Sequence, residues 1–331
     1  MSYFKHLKIL FAAGLFFGIG FGASEYFSGD SQPIWTAGDF FEKRINKSGF
    51  QFINPLLECE VGSILSKGNK ISYLKNSAED LVEDILAKEK SIYRASVYYR
   101  DLNNGPWFGI SEDEKFIPGS LHKVGPLIAL LKEAELYPLI FNRKIIYGGS
   151  EIPEIETYFK PSEEVEENKA YTVGNLAERM IRFSDNKAAF LIAKIISADK
   201  LLKVYNELGL EQSDNLNDYP LSARQFSILF RILFNASYLS KQSSEAALSL
   251  LAQTQFDKGL RAGVPVEIRI AHKFGERISN DGKEYQLHDC GIVYAPEKPY
   301  LLCVMTKGKD FDKMAELIAS VSKKVFSHVS E

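Results

Sequence analysis

The spacing of apolar and polar residues predicts a helix and then two strands at the start of the main body of the chain. Residues 77–90 repeat their apolar side chains at helical spacing, so that these side chains share one face. Segments 95–102 and 107–110 are rich in Val, Tyr and Trp, and the sequence Asn-Asn-Gly-Pro at 103–106 favours a turn between them. We therefore predict a β-hairpin after the first helix.

The middle of the chain shows helical periodicity, and the last third returns to strand patterns before a final amphipathic helix. Strands at both ends with helices between them predict an α/β (α+β) fold. In this fold an antiparallel sheet of about five strands is built from both chain ends, with flanking helices and an inserted all-α lobe. The predicted helices are 120–135, 171–183, 186–197, 222–234, 243–252 and 311–325, and the strands are 266–274, 288–295 and 300–306.

Domain boundaries follow from this order of elements. We assign 1–24 to an N-terminal signal or membrane anchor, 25–76 to a juxtamembrane stalk that packs on the body, and 77–328 to one large domain. Within that domain the lobes are 77–118 with 265–328 for the α/β lobe, and 119–264 for the helical lobe.

The N-terminal segment suggests where the chain resides. Residues 9–23 form a run without charge, with Lys5 and Lys8 before it and Glu25 and Asp30 after it. This asymmetry orients the following residues outward. The run is shorter than the ~20 residues of a full membrane span and also suits a secretory signal. We expect the extracytoplasmic face of a bacterial cell membrane, or a secreted or periplasmic protein if the leader is cleaved.

The composition of the chain excludes several classes of function and site. The 331 residues are 45% hydrophobic and 25% charged, as in globular chains. With 40 Lys and Arg against 43 Asp and Glu, the net charge of −3 argues against nucleic-acid binding. There are three Cys and no C-x-x-C pattern for zinc, and we expect no metal. We also expect no cofactor. Cys290 and Cys303 would meet on a hairpin, but we expect free thiols because directly paired strand positions strain a disulfide.

Three short motifs could carry chemistry, although each pattern recurs elsewhere in the chain. Ser120-Leu-His-Lys123 follows Pro-Gly and opens an apolar helix, so both side chains share a face. An amine there is partly desolvated, which lowers its pKa and makes it a base for a weak nucleophile. Ser184-Asp-Asn186 lies in a turn between two helices, and Lys273-Phe-Gly275 lies on a strand where glycine lets a ligand approach.

The order S-x-x-K, S-D-N and K-x-G resembles that of penicillin-recognising serine enzymes. Residues 116–123 resemble the nucleophile helix of class A β-lactamases, and 180–186 resemble that family's second motif. Residues 271–276 and 289–294 are similar to its third motif and the strand that follows. The resemblance covers about 77–328 and implies a β-lactamase-like catalytic domain.

The resemblance also implies a role for each motif residue. Ser120 would be the acylated nucleophile, Lys123 would help to take its proton, and Ser184 would pass a proton to the leaving nitrogen. Asn186 would hold Lys123 and a substrate amide, and Lys273 would attract the substrate carboxylate. The backbone N–H groups of Ser120 and Glu276, beside Gly275, would form the oxyanion hole.

The chain departs from the family pattern at two places. Phe274 stands where the third motif carries a Thr or Ser hydroxyl for the substrate carboxylate. The family's Glu-x-x-Leu-Asn loop is represented by Leu216-Asn217, but Ser213 replaces its Glu. The nearby carboxylates are Glu211, Asp214 and Asp218. Because a lost base leaves no group to activate water, we expect an acyl-enzyme that hydrolyses slowly.

We therefore predict a monomeric serine hydrolase acting on amide bonds of β-lactams or D-Ala-D-Ala-type cell-wall peptides. Two alternatives are a true β-lactamase with another deacylation base and a binding or scaffold module that has lost turnover. A Ser-His-Asp hydrolase using His288 and Asp289 is disfavoured because the chain has no G-x-S-x-G motif. His122 is interpreted as a packing or surface residue and His272 as a structural one. Candidates for a second carboxylate contact are Arg261, Arg269 and Arg277.

Overall fold

The computed structural model describes residues 40–44, 50–61, 68–149, 152, 156–210, 219–279 and 281–331. The apolar run at 9–23, which we predict to be a signal or anchor, lies outside the described residues. None of the described helices is both long enough and apolar enough to cross a membrane.

The described elements alternate between strands and helices. The strands are β1 Phe40–Arg44, β2 Leu56–Val61, β3 Ile92–Asp101, β4 Trp107–Ile110, β5 Lys115–Phe116, β6 Lys144–Ile146, β7 Ala170–Thr172, β8 Leu221–Ser222, β9 Ile270–Ile278, β10 Tyr285–Val293 and β11 Tyr300–Gly308. The α-helices are α1 Gly68–Lys88, α2 Val124–Leu136, α3 Val173–Arg182, α4 Asn186–Ile195, α5 Ala198–Glu207, α6 Ala223–Phe234, α7 Lys241–Leu251 and α8 Phe311–Ser330. Turns of 3₁₀-helix cover Gly119–Lys123, Pro138–Asn142 and Leu260–Gly263.

A five-stranded antiparallel sheet with the order β4-β3-β11-β10-β9 forms the centre of the fold. Its strands come from both ends of the described chain, which confirms the predicted fold class. Nearly every residue of β10 and β11 is buried, because both faces of the sheet are covered. Helices α1 and α8 pack on one face, and the helical region packs on the other. Strand β9 forms one edge of the sheet.

Several boundaries differ from the sequence prediction. Helix α1 begins at Gly68 rather than at 77, and strand β9 begins at Ile270 rather than at 266. The predicted all-α lobe also contains the short strand pairs β5–β8 and β6–β7. These strands are only two or three residues long, so they show no alternating pattern in the sequence.

Residues 50–55, within the predicted stalk, pack on the helical region. Phe52 and Ile53 are buried in its core, and the carboxylate of Glu245 on α7 accepts their backbone N–H groups at 2.9 and 3.0 Å. The N–H of Asn54 donates to the carbonyl oxygen of Phe234 at 2.9 Å. This short segment is therefore held by hydrogen bonds as well as by apolar contact.

The two cysteines of the hairpin form a disulfide. Cys290 and Cys303 lie directly opposite each other on β10 and β11, with Cα atoms 3.9 Å apart. The expectation of two free thiols is therefore wrong. Antiparallel pairing brings opposite residues close together, and here the register places both thiols at one buried position.

Candidate active site

Two glycines allow the nucleophile turn to approach strand β9 backbone to backbone. The predicted helix 120–135 begins as the 3₁₀ turn Gly119–Lys123 and continues as α2. Gly119 has φ +55°, and a Cβ there would meet the carbonyl oxygen of Glu276. A Cβ on Gly275 would meet the carbonyl oxygen of Pro118. This approach brings the backbone around Ser120 beside Glu276, where the oxyanion hole is expected.

Lys123 is buried at the end of the same turn as Ser120. Its side chain is 7% exposed, and its Nζ donates to the carbonyl oxygen of Ser184 at 2.5 Å and to Oδ1 of Asn186 at 2.7 Å. A weaker bond reaches Ser184 Oγ at 3.3 Å. Among the described residues, Ser120 is not an acceptor of Lys123, and its half-buried hydroxyl stands at the start of the turn. Lys123 therefore connects the nucleophile turn to the second motif.

Ser184 has a strained backbone that turns it toward both lysines. Its φ is +60°, a left-handed conformation that few residues other than glycine adopt. The next residue, Asp185, caps α4 by accepting the N–H of Lys187 at 2.8 Å. The other carboxylate oxygen of Asp185 accepts the N–H of Val165 at 2.7 Å. The cap holds the turn in this conformation, a role for Asp185 that sequence analysis missed.

Lys273 approaches the same hydroxyl from the other side. It is 0% exposed, and its Nζ donates to Ser184 Oγ at 2.9 Å and to the carbonyl oxygen of Phe274 at 3.0 Å. Ser184 Oγ therefore accepts hydrogen bonds from two lysines, which occupy both lone pairs. Its own O–H remains to donate to a group in the cleft. This arrangement suits the delivery of a proton to a leaving nitrogen.

Burial lowers the pKa of both lysine side chains. It lowers the pKa of Lys123 to about 7, although the charges of Asp185 and Glu276 raise it in part. Burial also lowers the pKa of Lys273 well below its ordinary value, and the charge of Lys123 adds to that effect. A substantial fraction of Lys123 is thus neutral at neutral pH and able to accept a proton.

Glu276 contributes a side chain whose role the sequence did not reveal. Its carboxylate accepts the backbone N–H groups of Tyr158 at 2.9 Å and Phe159 at 3.2 Å. Burial raises the pKa of this carboxyl group, and these two hydrogen bonds oppose that effect. The loop around Phe159 is therefore held against the edge strand beside the motif residues.

His272 and His288 are buried and held by hydrogen bonds within the sheet and to the chain before Ser120. His272 is buried and its Nδ1 lies 2.9 Å from the carboxylate of Asp289, while Nε2 of His288 lies 3.1 Å from the carbonyl oxygen of Ile117. Burial lowers the pKa of His288 to about 4. Asp289 therefore pairs with His272 rather than with His288, because adjacent strand residues face opposite sides of a sheet. Gln286 accepts the N–H of Ile117 at 2.9 Å, which also positions the chain before Ser120.

Two of the candidate arginines are engaged elsewhere. Arg261 donates to the backbone carbonyl groups of Val264 and Ile268, and Arg269 donates to the side chain of Gln51 at 3.3 Å. Arg277 lies on β9, with a half-buried side chain. The carboxylates considered for deacylation, at 211, 214 and 218, lie outside the described residues. Within the described part of the chain, no cluster of His, Cys, Asp and Glu could hold a metal ion.

Comparisons with known proteins agree with the resemblance of the sequence as a whole. A sequence model of the Beta-lactamase enzyme family matches residues 77–329. A structure of PBP-A is 24% identical and covers 76% of this chain and 95% of its own, with a TM-score of 0.63. A class A β-lactamase from Mycobacterium abscessus is 22% identical over 76% of this chain and 98% of its own, with a TM-score of 0.64.

A further match is a mutant form of PBP-A, solved as an acyl-enzyme complex with penicillin G. It is 23% identical and covers 77% of this chain and 96% of its own, with a TM-score of 0.63. No protein of curated function matches the sequence. Because all these identities are below 25%, the structures show a shared fold, and together with the matched family they confirm the resemblance seen in the sequence.

Proposed function

The chain belongs to the beta-lactamase enzyme family, and on that basis we propose that it is a serine hydrolase acylated at Ser120. The acyl donor is a β-lactam or a D-Ala-D-Ala-type cell-wall peptide. The observation that carries this proposal is the hydrogen-bonded group at Ser184 Oγ, which lies 3.3 Å from Lys123 Nζ and 2.9 Å from Lys273 Nζ. These groups supply a base and a proton relay behind the nucleophile.

In the proposed acylation, Ser120 Oγ attacks the amide carbonyl carbon while its proton passes to the neutral amine of Lys123. The backbone N–H groups of Ser120 and Glu276 bind the oxyanion. The C–N bond then breaks, and the nitrogen takes the proton of the Ser184 hydroxyl. Lys123 returns a proton to Ser184 along their hydrogen bond. The proton lost by Ser120 thus ends on the leaving nitrogen.

We propose that deacylation is slow, because Ser213 occupies the position of the family's water-activating Glu. A true β-lactamase that uses another carboxylate remains the second candidate, with Glu211, Asp214 and Asp218 as its possible bases. The two candidates differ in turnover, since only the second releases product repeatedly.

We also propose an extracytoplasmic monomer, tethered or exported through its N-terminal segment. The apolar run at 9–23 with its charge asymmetry supports this placement. The disulfide between Cys290 and Cys303 agrees with it, since disulfides persist mainly in oxidising compartments.

The direct test is covalent labelling of the purified full chain with benzylpenicillin. We expect a mass increase of one penicilloyl group, located by peptide mapping to Ser120 and absent in Ser120→Ala. The matched control is Ser197→Ala, because Ser197 and Lys200 form an S-x-x-K pattern outside the site. No adduct on the wild-type chain, or an adduct that persists in Ser120→Ala, would remove the proposed nucleophile.

A further inference from the structure

Aromatic side chains pack around the third motif. The rings of Phe274 and Phe256 stack with centroids 4.1 Å apart and an interplanar angle of 16°. Phe159 meets both rings edge-on, at 5.1 Å from Phe256 and 6.1 Å from Phe274. Phe256 and Phe274 are each only 5% exposed. These three residues, called the aromatic cluster below, fill the space beside Lys273.

The Phe274 ring of the aromatic cluster contacts the amine of Lys273. Its Nζ lies 4.1 Å from the centroid of the Phe274 ring, which provides a cation–π contact. Its other two donors serve Ser184 Oγ and the carbonyl oxygen of Phe274. Among the described residues, an ammonium group at Lys273, which has three N–H donors, thus finds a partner for each of them. The buried Lys273 would have to break these contacts before it could bind a substrate carboxylate.

Two loops of the chain hold the aromatic cluster in place. Phe159 is fixed by the hydrogen bond of its N–H to Glu276, and Phe256 lies in the loop after α7. Lys258 lies 5.3 Å from the Phe159 ring, but its Nζ forms an ion pair with Asp312 at 2.9 Å. The cluster is therefore built by packing and hydrogen bonds on several elements rather than by the single residue Phe274.

A carboxylate placed against this apolar surface would lose water without gaining a hydrogen bond. Burial of an unpaired charge is strongly unfavourable, whereas an ester, an amide or an apolar group is accepted at much lower cost. Arg261 and Arg269, which could have supplied a cation, are bound to backbone and side-chain groups elsewhere. The apolar character of the aromatic cluster therefore favours an uncharged ligand group at this end of the site.

We propose that the enzyme prefers acyl donors without a free carboxylate at the leaving-group end, and that Phe274 sets this preference. The proposal rests on the acylation of Ser120 proposed above. It names the substrate class as lactams or peptides in which that carboxyl group is esterified, amidated or continued into a further chain.

The test compares benzylpenicillin with its methyl ester, which differ only at this carboxyl group. Second-order acylation rate constants are measured by intact mass, and each is divided by the rate of ring opening of the same compound by hydroxide. For the wild type we expect an acid-to-ester ratio of one or less. For Phe274→Thr, which removes the ring and adds a hydroxyl, we expect the ratio to rise by about tenfold or more, as for a new hydrogen bond to a charged group.

Phe274→Leu is the matched control, because it stays apolar and adds no hydroxyl, so the ratio should remain within about threefold of wild type. A wild-type ratio of ten or more would overturn the proposed preference while leaving Ser120 acylation intact. An unchanged ratio in folded Phe274→Thr would likewise overturn the role of Phe274. If Phe274→Thr does not fold, the wild-type acid-to-ester ratio alone tests the preference: a ratio of one or less supports it, and a ratio of ten or more overturns it. No adduct with either compound would reject the proposed function itself.

Discussion

Raising the pH should increase the acylation of Ser120 through Lys123, whose burial lowers its pKa to about 7. The neutral amine is the species that accepts a proton, so the rate should follow its fraction. That fraction is about half at pH 7 and roughly a tenth at pH 6, whereas an ordinary lysine would be neutral in only about one molecule in 3,000 at pH 7. Burial therefore raises the amount of base at pH 7 by roughly a thousandfold.

The assay is stopped-flow acylation with a chromogenic β-lactam from pH 5.5 to 9. We expect the rate constant to rise about tenfold from pH 6 to a plateau above pH 8, with a midpoint near 7. Lys123→Ala should slow acylation by ~10²-fold or more and remove this midpoint. Lys200→Ala is the control, because Lys200 belongs to another S-x-x-K pattern and forms an exposed ion pair with Glu133. Its profile should match wild type.

The same shift should affect stability. The pKa of Lys123 is lower in the folded state than its ordinary value of 10.5, so the unfolded chain binds more protons between about pH 7 and 10.5. The contribution of this group to the free energy of unfolding should therefore rise with pH across that window, and below about pH 7 the full cost of its buried charge should remain.

A flat acylation profile in wild type, combined with a mild effect of Lys123→Ala, would refute the assignment of Lys123 as the base.

The remaining predictions concern turnover, the nucleophile turn, the disulfide and the location of the chain. Because the water-activating Glu is absent, about one equivalent of β-lactam should be consumed in a burst before turnover slows by ~10²-fold or more. Sustained turnover without a detectable adduct on Ser120 would instead support a plain β-lactamase. Gly119→Ala places a Cβ against the carbonyl oxygen of Glu276 at a positive φ, so it should reduce the acylation rate constant by about tenfold or more even in a chain that circular dichroism shows to be folded. Unchanged kinetics would argue against this close approach. Reduction of the Cys290–Cys303 disulfide, which spans 13 residues, should lower the free energy of unfolding by about 2–3 kcal/mol in urea titrations, and a chain insensitive to reductant would contradict the bond. A reporter enzyme fused after the last residue should be active only if it works outside the cytoplasm, and cytoplasmic activity would reject the proposed location.

The sequence by itself determined the fold class and predicted which residues form the candidate site. Periodic apolar positions predicted the helices and the sheet built from both chain ends, because such patterns depend on which face of each element is buried. The motifs at Ser120, Ser184 and Lys273 were selected among recurrences by their local context, and the structure brings all three together. Residue spacing and local context were enough to select these motifs because each motif lies within a few consecutive residues.

Tertiary structure alone decided how these residues are paired. The sharing of Ser184 Oγ by two lysines, the pairing of His272 with Asp289 and the Cys290–Cys303 disulfide all depend on strand register and on the approach of distant loops. A shift of register by one residue would turn every side chain of a strand to the other face, and no local pattern records that choice. The same is true of Phe274, for which the sequence indicated only that a Thr or Ser hydroxyl is missing at this position. Its effect on Lys273 arises because Phe256 and Phe159, distant in the chain, pack against it.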